Sequence, residues 1–148
     1  MLLGNFYQCN PAQADMVAVD PQNWLLSGIV TAGQVLPGLI GNEYESVDLS
    51  VPTPRPLEVL FHSAVTCQGR HDFADVTYYT TPSGAGVFSA GTQYWICGLE
   101  PGCHGRDDSA AIDPITSRLL TAFAQGPAGL VHPAEDNLAA VGIAPPGG

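Results

Sequence analysis

The sequence predicts a small α/β domain with a short mixed or antiparallel sheet, one main C-terminal helix and long irregular connections. Three observations lead to this prediction. Two β-favouring runs flank a proline-glycine turn, one helical pattern follows them, and 17 glycines and 13 prolines occur among 148 residues. Glycine and proline at this density favour turns between short elements. A hydrophobic fraction of 45% with 12% charged residues is typical of a globular chain.

The N-terminal part of the chain gives few signals, and we expect residues 1–20 to be irregular. WLLSGIV (residues 24–30) is apolar but short for a helix. The stretch that follows, residues 31–47, is interrupted by Gly33, Pro37, Gly38 and Gly41, which favours a loop or a short strand. We expect a single domain over residues 20–143 and a flexible tail at residues 144–148.

The middle of the chain predicts strands. VPTPRP (residues 51–56) favours an extended connection, because proline fixes the backbone. LEVLFHSAV (residues 57–65) is rich in β-branched and aromatic side chains and predicts a strand. ADVTYYTT and AGVFSAGT lie on either side of Pro82-Ser83-Gly84, which predicts an antiparallel hairpin over residues 74–92. The glycines of SGAGVFSAGT therefore indicate a turn, because a phosphate-binding loop precedes a helix.

One helix is predicted after these strands. Asp113 is expected to cap it, Pro114 to occupy its first position, and Gly126-Pro127 to end it. The expected buried face consists of Ile115, Leu119, Leu120 and Phe123. A second short helix is expected near residues 134–141.

The charge of the chain excludes two classes of partner. Four arginines and no lysine stand against 14 acidic residues, giving a net charge of −10. Such a surface repels phosphate backbones and anionic lipids, so we expect neither nucleic-acid nor membrane binding. No apolar run approaches the roughly 18 residues of a membrane span, and no signal-peptide pattern is found. A cytoplasmic location is the default expectation.

The four cysteines leave three chemistries open. Two clusters combine cysteine with histidine: His62, Cys67 and His71, and Cys97, Cys103 and His104. Zinc is the weakest interpretation, because no familiar ligand spacing is present. In a secreted precursor the cysteines would pair, and Cys97 and Cys103 would close a small loop. In the cytoplasm they would be thiols, with Cys97 buried beside Trp95.

The segment GNEYE (residues 41–45) is the most interesting polar site. Glu43 follows the apolar segment PGLIG directly. A carboxylate held at the edge of a core binds a cation or acts as an acid or base. The alternative is a surface turn in which Glu43 and Glu45 are solvated, and the residues alone favour it somewhat.

Several segments occur in an order that resembles one family. They are Trp24, LPGLIGNEYESV, VTYYTTPSGAGVFSAGTQYWICGL and ITSRLLTAFAQG. This order is similar to the C-terminal region of proteins like the large (β) subunit of N,N-dimethylformamidase. The resemblance extends over residues 20–125. We therefore expect the domain at residues 20–143 to be similar to the C-terminal domain of the N,N-dimethylformamidase β subunit.

The resemblance implies part of an amide hydrolase that releases formate and an amine from a small amide substrate. It also implies an incomplete glutamine-amidotransferase-like layer and a mononuclear iron, held by two tyrosines and a carboxylate, that activates water. Glu43 is the position that matches the carboxylate ligand. The tyrosine ligands would lie upstream, and no other catalytic residue is assigned.

The sequence also departs from the family pattern. Asn42 stands where an aromatic residue is usual, Glu45 stands where aspartate is usual, and family members are several times longer. Three explanations of these departures stay open: the chain is a separately encoded subunit, a fragment, or a domain that has lost catalysis. We expect the chain to be inactive alone and to bind another chain or itself through open sheet edges. The alternative is a non-catalytic structural or binding module of a larger assembly, including an extracellular one.

Overall fold

Two antiparallel sheets form the centre of the domain. The computed structural model describes residues 3–103 and 108–144. Its strands are β1 (Phe6–Val17), β2 (Val35–Ser46), β3 (Leu57–Cys67), β4 (Arg70–Thr80) and β5 (Gly86–Ser89). A 3-10 helix (Gln93–Gly98) and the helices α1 (Ser109–Ala124) and α2 (Ala128–Val131) follow. The tail predicted at residues 144–148 lies, from residue 145 on, outside the described residues.

The first sheet is the long hairpin of β1 and β2. It corrects the prediction of an irregular segment at residues 1–20 and of a loop or short strand at residues 31–47. The register shifts three times, between Tyr7 and Cys9, between Cys9 and Ala12, and between Ala14 and Met16. Such bulges accommodate residues that interrupt a regular strand. They also remove the alternation of polar and apolar residues by which a strand is recognised in a sequence.

The second sheet has the order β3-β4-β5 and confirms the predicted strand and hairpin. The turn between β4 and β5 is closed by the amide of Gly84, which donates to the carbonyl of Thr81 at 2.9 Å. β4 begins at Arg70, four residues before the predicted start. The reason is that Arg70 pairs with Cys67, the last residue of β3. β5 ends at Ser89, so that residues 90–92 leave the strand.

Two isolated bridges join the sheets at both edges. Ala18, after β1, pairs with Phe61 of β3, and Tyr44 of β2 pairs with Thr92, after β5. The pairings therefore connect the two sheets in a ring, and the main core joins their buried side chains, such as Tyr44 and Phe61, to Ile112 and Ile115 of α1. Every pairing of the described strands is antiparallel. The glutamine-amidotransferase-like layer stays a prediction.

α1 confirms the predicted helix but corrects its start and its buried face. It begins at Ser109, so Pro114 lies inside it and Asp113 is not its cap. The buried residues are Ala111, Ile112, Ile115 and Leu119, whereas Leu120 and Phe123 are exposed. Successive residues are about 100° apart around a helix, so Leu120 points away from the stripe that Leu119 continues.

The second short helix was predicted in the wrong place. α2 covers Ala128–Val131, and residues 134–141 are irregular and end in a turn. Two of these residues, Ala134 and Leu138, are buried against the sheets. None of the described helices is long and apolar enough to cross a membrane.

All four cysteines are paired. Cys9 of β1 binds Cys67 of β3, and Cys97 binds Cys103. The pairing of Cys97 with Cys103 is the small loop that the spacing allows, and the free-thiol interpretation is wrong for this structure. Within residues 3–103 and 108–144, no three His, Cys, Asp or Glu side chains are grouped to hold a metal ion. His104 lies outside the described residues.

Candidate functional site

The segments GNEYE (residues 41–45) and AGT (residues 90–92) lie against each other, although Gly41 and Thr92 are 51 positions apart in the sequence. Tyr44 of β2 pairs with Thr92, and the amide of Glu45 donates to the carbonyl of Gly91 at 2.9 Å. The segment that follows β5 therefore pairs with β2 on the edge that does not face β1. This junction positions the residues that the sequence singled out.

The hydroxyl of Thr92 fixes the backbone at the start of GNEYE. It accepts a hydrogen bond from the amide of Gly41 at 2.9 Å and from the amide of Tyr94 at 3.1 Å. Its proton has two acceptors within reach, the carbonyls of Gly41 at 2.7 Å and of Leu39 at 3.1 Å. A hydroxyl has one donor and two acceptor positions, so all of its hydrogen-bonding capacity is used here. We call this arrangement the Thr92 clamp.

The clamp requires glycine at position 41. A Cβ atom at Gly41 would lie 2.5 Å from Cε2 of Tyr94 and 3.1 Å from the carbonyl oxygen of Ala12. The first distance is too short for two carbon atoms, so a side chain at this position would displace the Tyr94 ring. The ring therefore packs directly on the backbone that leads to Glu43.

Glu43 and Glu45 lie on the same side of β2, because side chains alternate along a strand and Tyr44 and Ser46 are buried. Both carboxylates are half-buried. Burial raises the pKa of Glu45, the hydrogen bond from the Ser89 hydroxyl at 3.2 Å lowers it, and the charge of Glu43 raises it. The segment is therefore a strand and not the surface turn of the alternative interpretation, and both glutamates remain partly exposed on it.

A family comparison covers these same segments. The model of the family described as N,N-dimethylformamidase beta subunit-like, C-terminal, matches residues 1–108. The chain belongs to this family. The match confirms the predicted resemblance, but it starts at residue 1 and ends before α1, whereas the resemblance was expected over residues 20–125. Comparison with curated proteins finds no match.

Two tyrosines within the matched residues, Tyr44 and Tyr78, have structural roles. Tyr44 is fully buried, and its hydroxyl donates to Oδ2 of Asp72 at 2.9 Å. Burial, the hydrogen bond to Asp72 and the charge of Asp72 raise the pKa of Tyr44 to about 12. Tyr78 donates to the carbonyl of His132 at 2.8 Å, and burial raises its pKa to about 12. Both phenols therefore act as hydrogen-bond donors within the protein.

Glu43, Tyr44 and Tyr78 do not together form the iron site that the resemblance implies. Glu43 offers one carboxylate, and Tyr44 and Tyr78 are held as neutral hydrogen-bond donors. Within the described ranges there is also no group of three acidic, histidine or cysteine side chains that could complete a metal site. We therefore derive no reaction step through a metal from this chain alone.

A second polar feature was missed by the sequence analysis. A cleft of about 670 Å³ lies beside β3, between residues 19–24 and residues 132–141. Glu58, only 5% exposed, lies in its wall, and burial raises the pKa of this carboxyl to about 7. Trp24 stacks on His132 across the same cleft, with ring centroids 4.1 Å apart. The signal in the sequence is one acidic residue in the otherwise apolar start of LEVLFHSAV.

His62, first considered as a zinc ligand, is paired with an acid instead. Its Nδ1 lies 2.6 Å from Oδ1 of Asp75, which is 2% exposed, and its ring stacks on Phe73. Asp75 also accepts a hydrogen bond from the amide of Val47 at 2.8 Å. The pair therefore connects β3, β4 and the chain after β2. His71 lies apart from it, with its Nδ1 2.9 Å from the hydroxyl of Thr66.

Proposed function

We propose that this chain is part of a formamidase-like amide hydrolase that cleaves the C–N bond of a small formamide. It acts only with another polypeptide segment that supplies the rest of the metal site. The observation that carries this proposal is the match of the family model over a region that contains both Glu43 and the clamp that fixes its strand. The predicted glutamine-amidotransferase-like layer is, on this proposal, a property of the complete enzyme.

Glu43 is the residue that we assign to the metal site. Its carboxylate is half-buried on β2, and it is followed by Tyr44, whose ring is fixed in the core. A carboxylate oxygen is a suitable ligand for a hard cation such as iron. In the complete enzyme, Glu43 would supply one carboxylate oxygen to such a metal, whose chemistry there would be to polarise the amide carbonyl and activate water. The remaining ligands are assigned to a segment outside this chain, as the resemblance implies, and the hydrogen bonds of Tyr44 and Tyr78 agree with this.

The charge of the chain is compatible with this substrate class. A small formamide is neutral, so the net charge of −10 does not repel it, as it would repel a phosphate or a carboxylate. The same charge attracts metal cations and the ammonium ion that amide hydrolysis releases.

The test compares two matched variants in the complete native assembly. Glu43→Gln should lose bound iron and formate release, measured by emission spectroscopy and a formate assay. Glu100→Gln removes the same charge from an exposed position and should keep both. Retention of iron by Glu43→Gln would contradict the assignment of Glu43. Formate release by the isolated wild-type chain would contradict the need for a second polypeptide segment.

The alternative is a structural or binding module of a larger assembly, and one observation favours the extracellular setting that this alternative includes. Both disulfides belong to an oxidising compartment, because disulfides are rare in cytosolic proteins. They favour export over the cytoplasmic default. The intact mass of the native protein, measured with and without reductant, tests the pairing. Sedimentation of the native particle tests for a partner chain, and a module without catalysis would assemble but release no formate.

A further inference from the structure

The two large apolar side chains with the greatest exposure lie on α2. Leu130 and Val131 are 71% and 75% exposed, the highest values among the large apolar side chains of the described residues. On α1, Leu120 and Phe123 are 62% and 38% exposed, and neither belongs to the buried stripe of that helix. The C-terminal helices therefore present apolar side chains to solvent as well as to the core.

The turn between β4 and β5 brings α2 and the end of α1 together. The amide of Gly129 donates to the carbonyl of Gly84 at 2.8 Å, which attaches α2 to the turn. A Cβ atom at Gly84 would lie 2.5 Å from Cγ of Leu130, so the Leu130 side chain packs directly on the turn backbone. A Cβ atom at Gly86 would lie 3.3 Å from Cε1 of Phe123, so the Phe123 ring packs two residues further along. Leu130 and Phe123 thus lie close to each other over the turn.

The other two exposed side chains extend this surface. Leu120 precedes Phe123 by three residues, which places the two on the same side of α1, one helical turn apart. Val131 follows Leu130, and both line a groove of about 140 Å³ between the two helices. We call Leu120, Phe123, Leu130 and Val131 together the C-terminal face. An exposed apolar surface that is contiguous in this way marks an interaction site.

The segments that form this face carry no charge. Residues 76–99, which include the β4–β5 turn, contain no Asp, Glu, Lys, Arg or His, and neither do residues 119–131. The chain as a whole has a net charge of −10. Two copies of this chain therefore repel each other over most orientations, and the repulsion is weakest where two uncharged surfaces meet.

The charged residues that precede the face in the sequence lie outside it. Arg118 comes two residues before Leu120, about 200° around the helix, and its Nη1 donates to three carbonyls of the loop between β1 and β2. Its guanidinium group is therefore turned away from the face. Asp113 comes seven residues before Leu120, about 10 Å along α1, which places it at the margin. The ring of His132, which follows the face, stacks on Trp24.

We propose that the C-terminal face is a homodimer interface, which docks on the same face of a second copy of this chain. An apolar surface is complementary to itself, so a two-fold contact of identical faces removes the four side chains of each copy from water. This removal drives association against the charge repulsion between the copies. The inference goes beyond the proposed function and is independent of it, since no residue of the face belongs to the Glu43 site.

A second copy fits this face better than a charged chain or a membrane does. A basic chain would dock on the acidic surfaces, because the C-terminal face offers it no ion pair. An anionic membrane would be repelled by the net charge of −10. The sheet edges, where the sequence predicted association, are joined to each other by the bridges of Ala18 with Phe61 and of Tyr44 with Thr92.

Sedimentation equilibrium of the full chain at increasing concentration tests the proposal. We expect a reversible change from the chain mass of 15.4 kDa to twice that mass. Raising the NaCl concentration from about 0.02 M to about 0.3 M should favour the dimer, because salt screens the repulsion between two acidic copies. A chain that stays monomeric up to about 1 mM, where even a weak dimer forms, overturns the proposal. Dissociation of the dimer by salt also overturns it, because an interface of ion pairs would behave in this way.

Two matched variants locate the interface. Val131→Asp places a charge on the face, and Val35→Asp places the same charge at an exposed position of β2. A substitution occurs twice in a symmetric dimer, so we expect Val131→Asp to raise the dissociation constant by about a hundredfold or more. Val35→Asp should change it by less than about threefold, because salt screens a single exposed charge outside the interface. Equal dissociation constants for the two variants overturn the proposal.

If Val131→Asp does not fold, the wild-type chain decides alone. Dilution followed by NMR should shift the signals of the four residues of the C-terminal face and leave those of Val35 unchanged. Concentration-dependent shifts that occur elsewhere and not on this face overturn the proposal. A wild-type chain that binds neutral phosphatidylcholine vesicles but does not dimerise overturns it as well, because the face would then be a membrane-docking surface.

Discussion

The hydroxyl of Thr92 lies 2.9 Å from the amide nitrogen of Gly41 and 2.7 Å from its carbonyl oxygen. One side chain thus fixes both backbone polar groups of the residue that opens the GNEYE segment. Glu43 follows two residues later on the same strand. The position of its carboxylate therefore depends on a residue that is distant in the sequence.

Removal of this hydroxyl should destabilise the domain. Thr92→Val keeps the shape but leaves the amides of Gly41 and Tyr94 without their acceptor. An unsatisfied buried polar group costs about 1–3 kcal/mol, so we expect the free energy of unfolding to fall by about 2 kcal/mol or more. Thr92→Ser keeps the hydroxyl and should lose less than half of that. Chemical denaturation measures both, and equal losses would contradict the role of the hydroxyl.

Gly91 should tolerate a side chain less well than Gly33. Both have positive φ, +63° and +74°, so alanine carries a conformational cost of about 1 kcal/mol at either position. A Cβ at Gly91 would also collide with the carbonyl oxygen of Asp75, whereas one at Gly33 meets open space. We expect Gly91→Ala to lower the thermal unfolding temperature clearly more than Gly33→Ala. Similar temperatures for the two variants would show that the contact is absent.

Alkaline titration should reveal a late-ionising Tyr78. Its pKa is about 12 in the folded chain, above the ordinary value of 10. The neutral phenol therefore contributes stability that is fully present below pH 10 and is lost as the pH rises toward 12. Absorbance at 295 nm should show tyrosines that ionise only with unfolding, and Tyr78→Phe should remove one of them. Ordinary titration of every tyrosine near pH 10 would contradict this.

The two disulfides should contribute unequally to stability. Cys9 and Cys67 are separated by 58 positions, whereas Cys97 and Cys103 are separated by 6. Loop-closure entropy predicts about 4 kcal/mol for the longer loop and about 2 kcal/mol for the shorter one. Replacing each pair by serines and measuring urea denaturation should give losses in this order. The reverse order would show that chain entropy does not explain their contributions.

Local patterns predicted the parts of the fold whose contacts are local. The hairpin of β4 and β5 was predicted because its turn, residues 81–85, and its β-favouring runs are adjacent in the sequence. The β1–β2 hairpin was not, because it pairs residues such as Phe6 and Ser46 across a long connection and shifts register three times. The start of α1 was misplaced because Pro114 favours a first helical position but lies inside the helix.

In the candidate site, too, the sequence predicted the local features and missed the contacts between distant segments. Glu43 was identified from its segment, but Thr92 was not, because its contact with Gly41 is formed only in the folded chain. Glu58 was missed because its partners Asp20 and Glu135 lie far from it in the sequence. A single acidic residue in an apolar strand indicates a buried charge, but it does not identify what surrounds that charge.

The most direct test of the central claim is the position of iron relative to Glu43 in the complete enzyme. An anomalous difference map recorded at the iron absorption edge, from crystals of the native assembly, locates the metal. We expect one iron at ligand distance from the Glu43 carboxylate, with its other protein ligands outside this chain. Iron bound away from Glu43, or a complete set of ligands within this chain, would contradict the account.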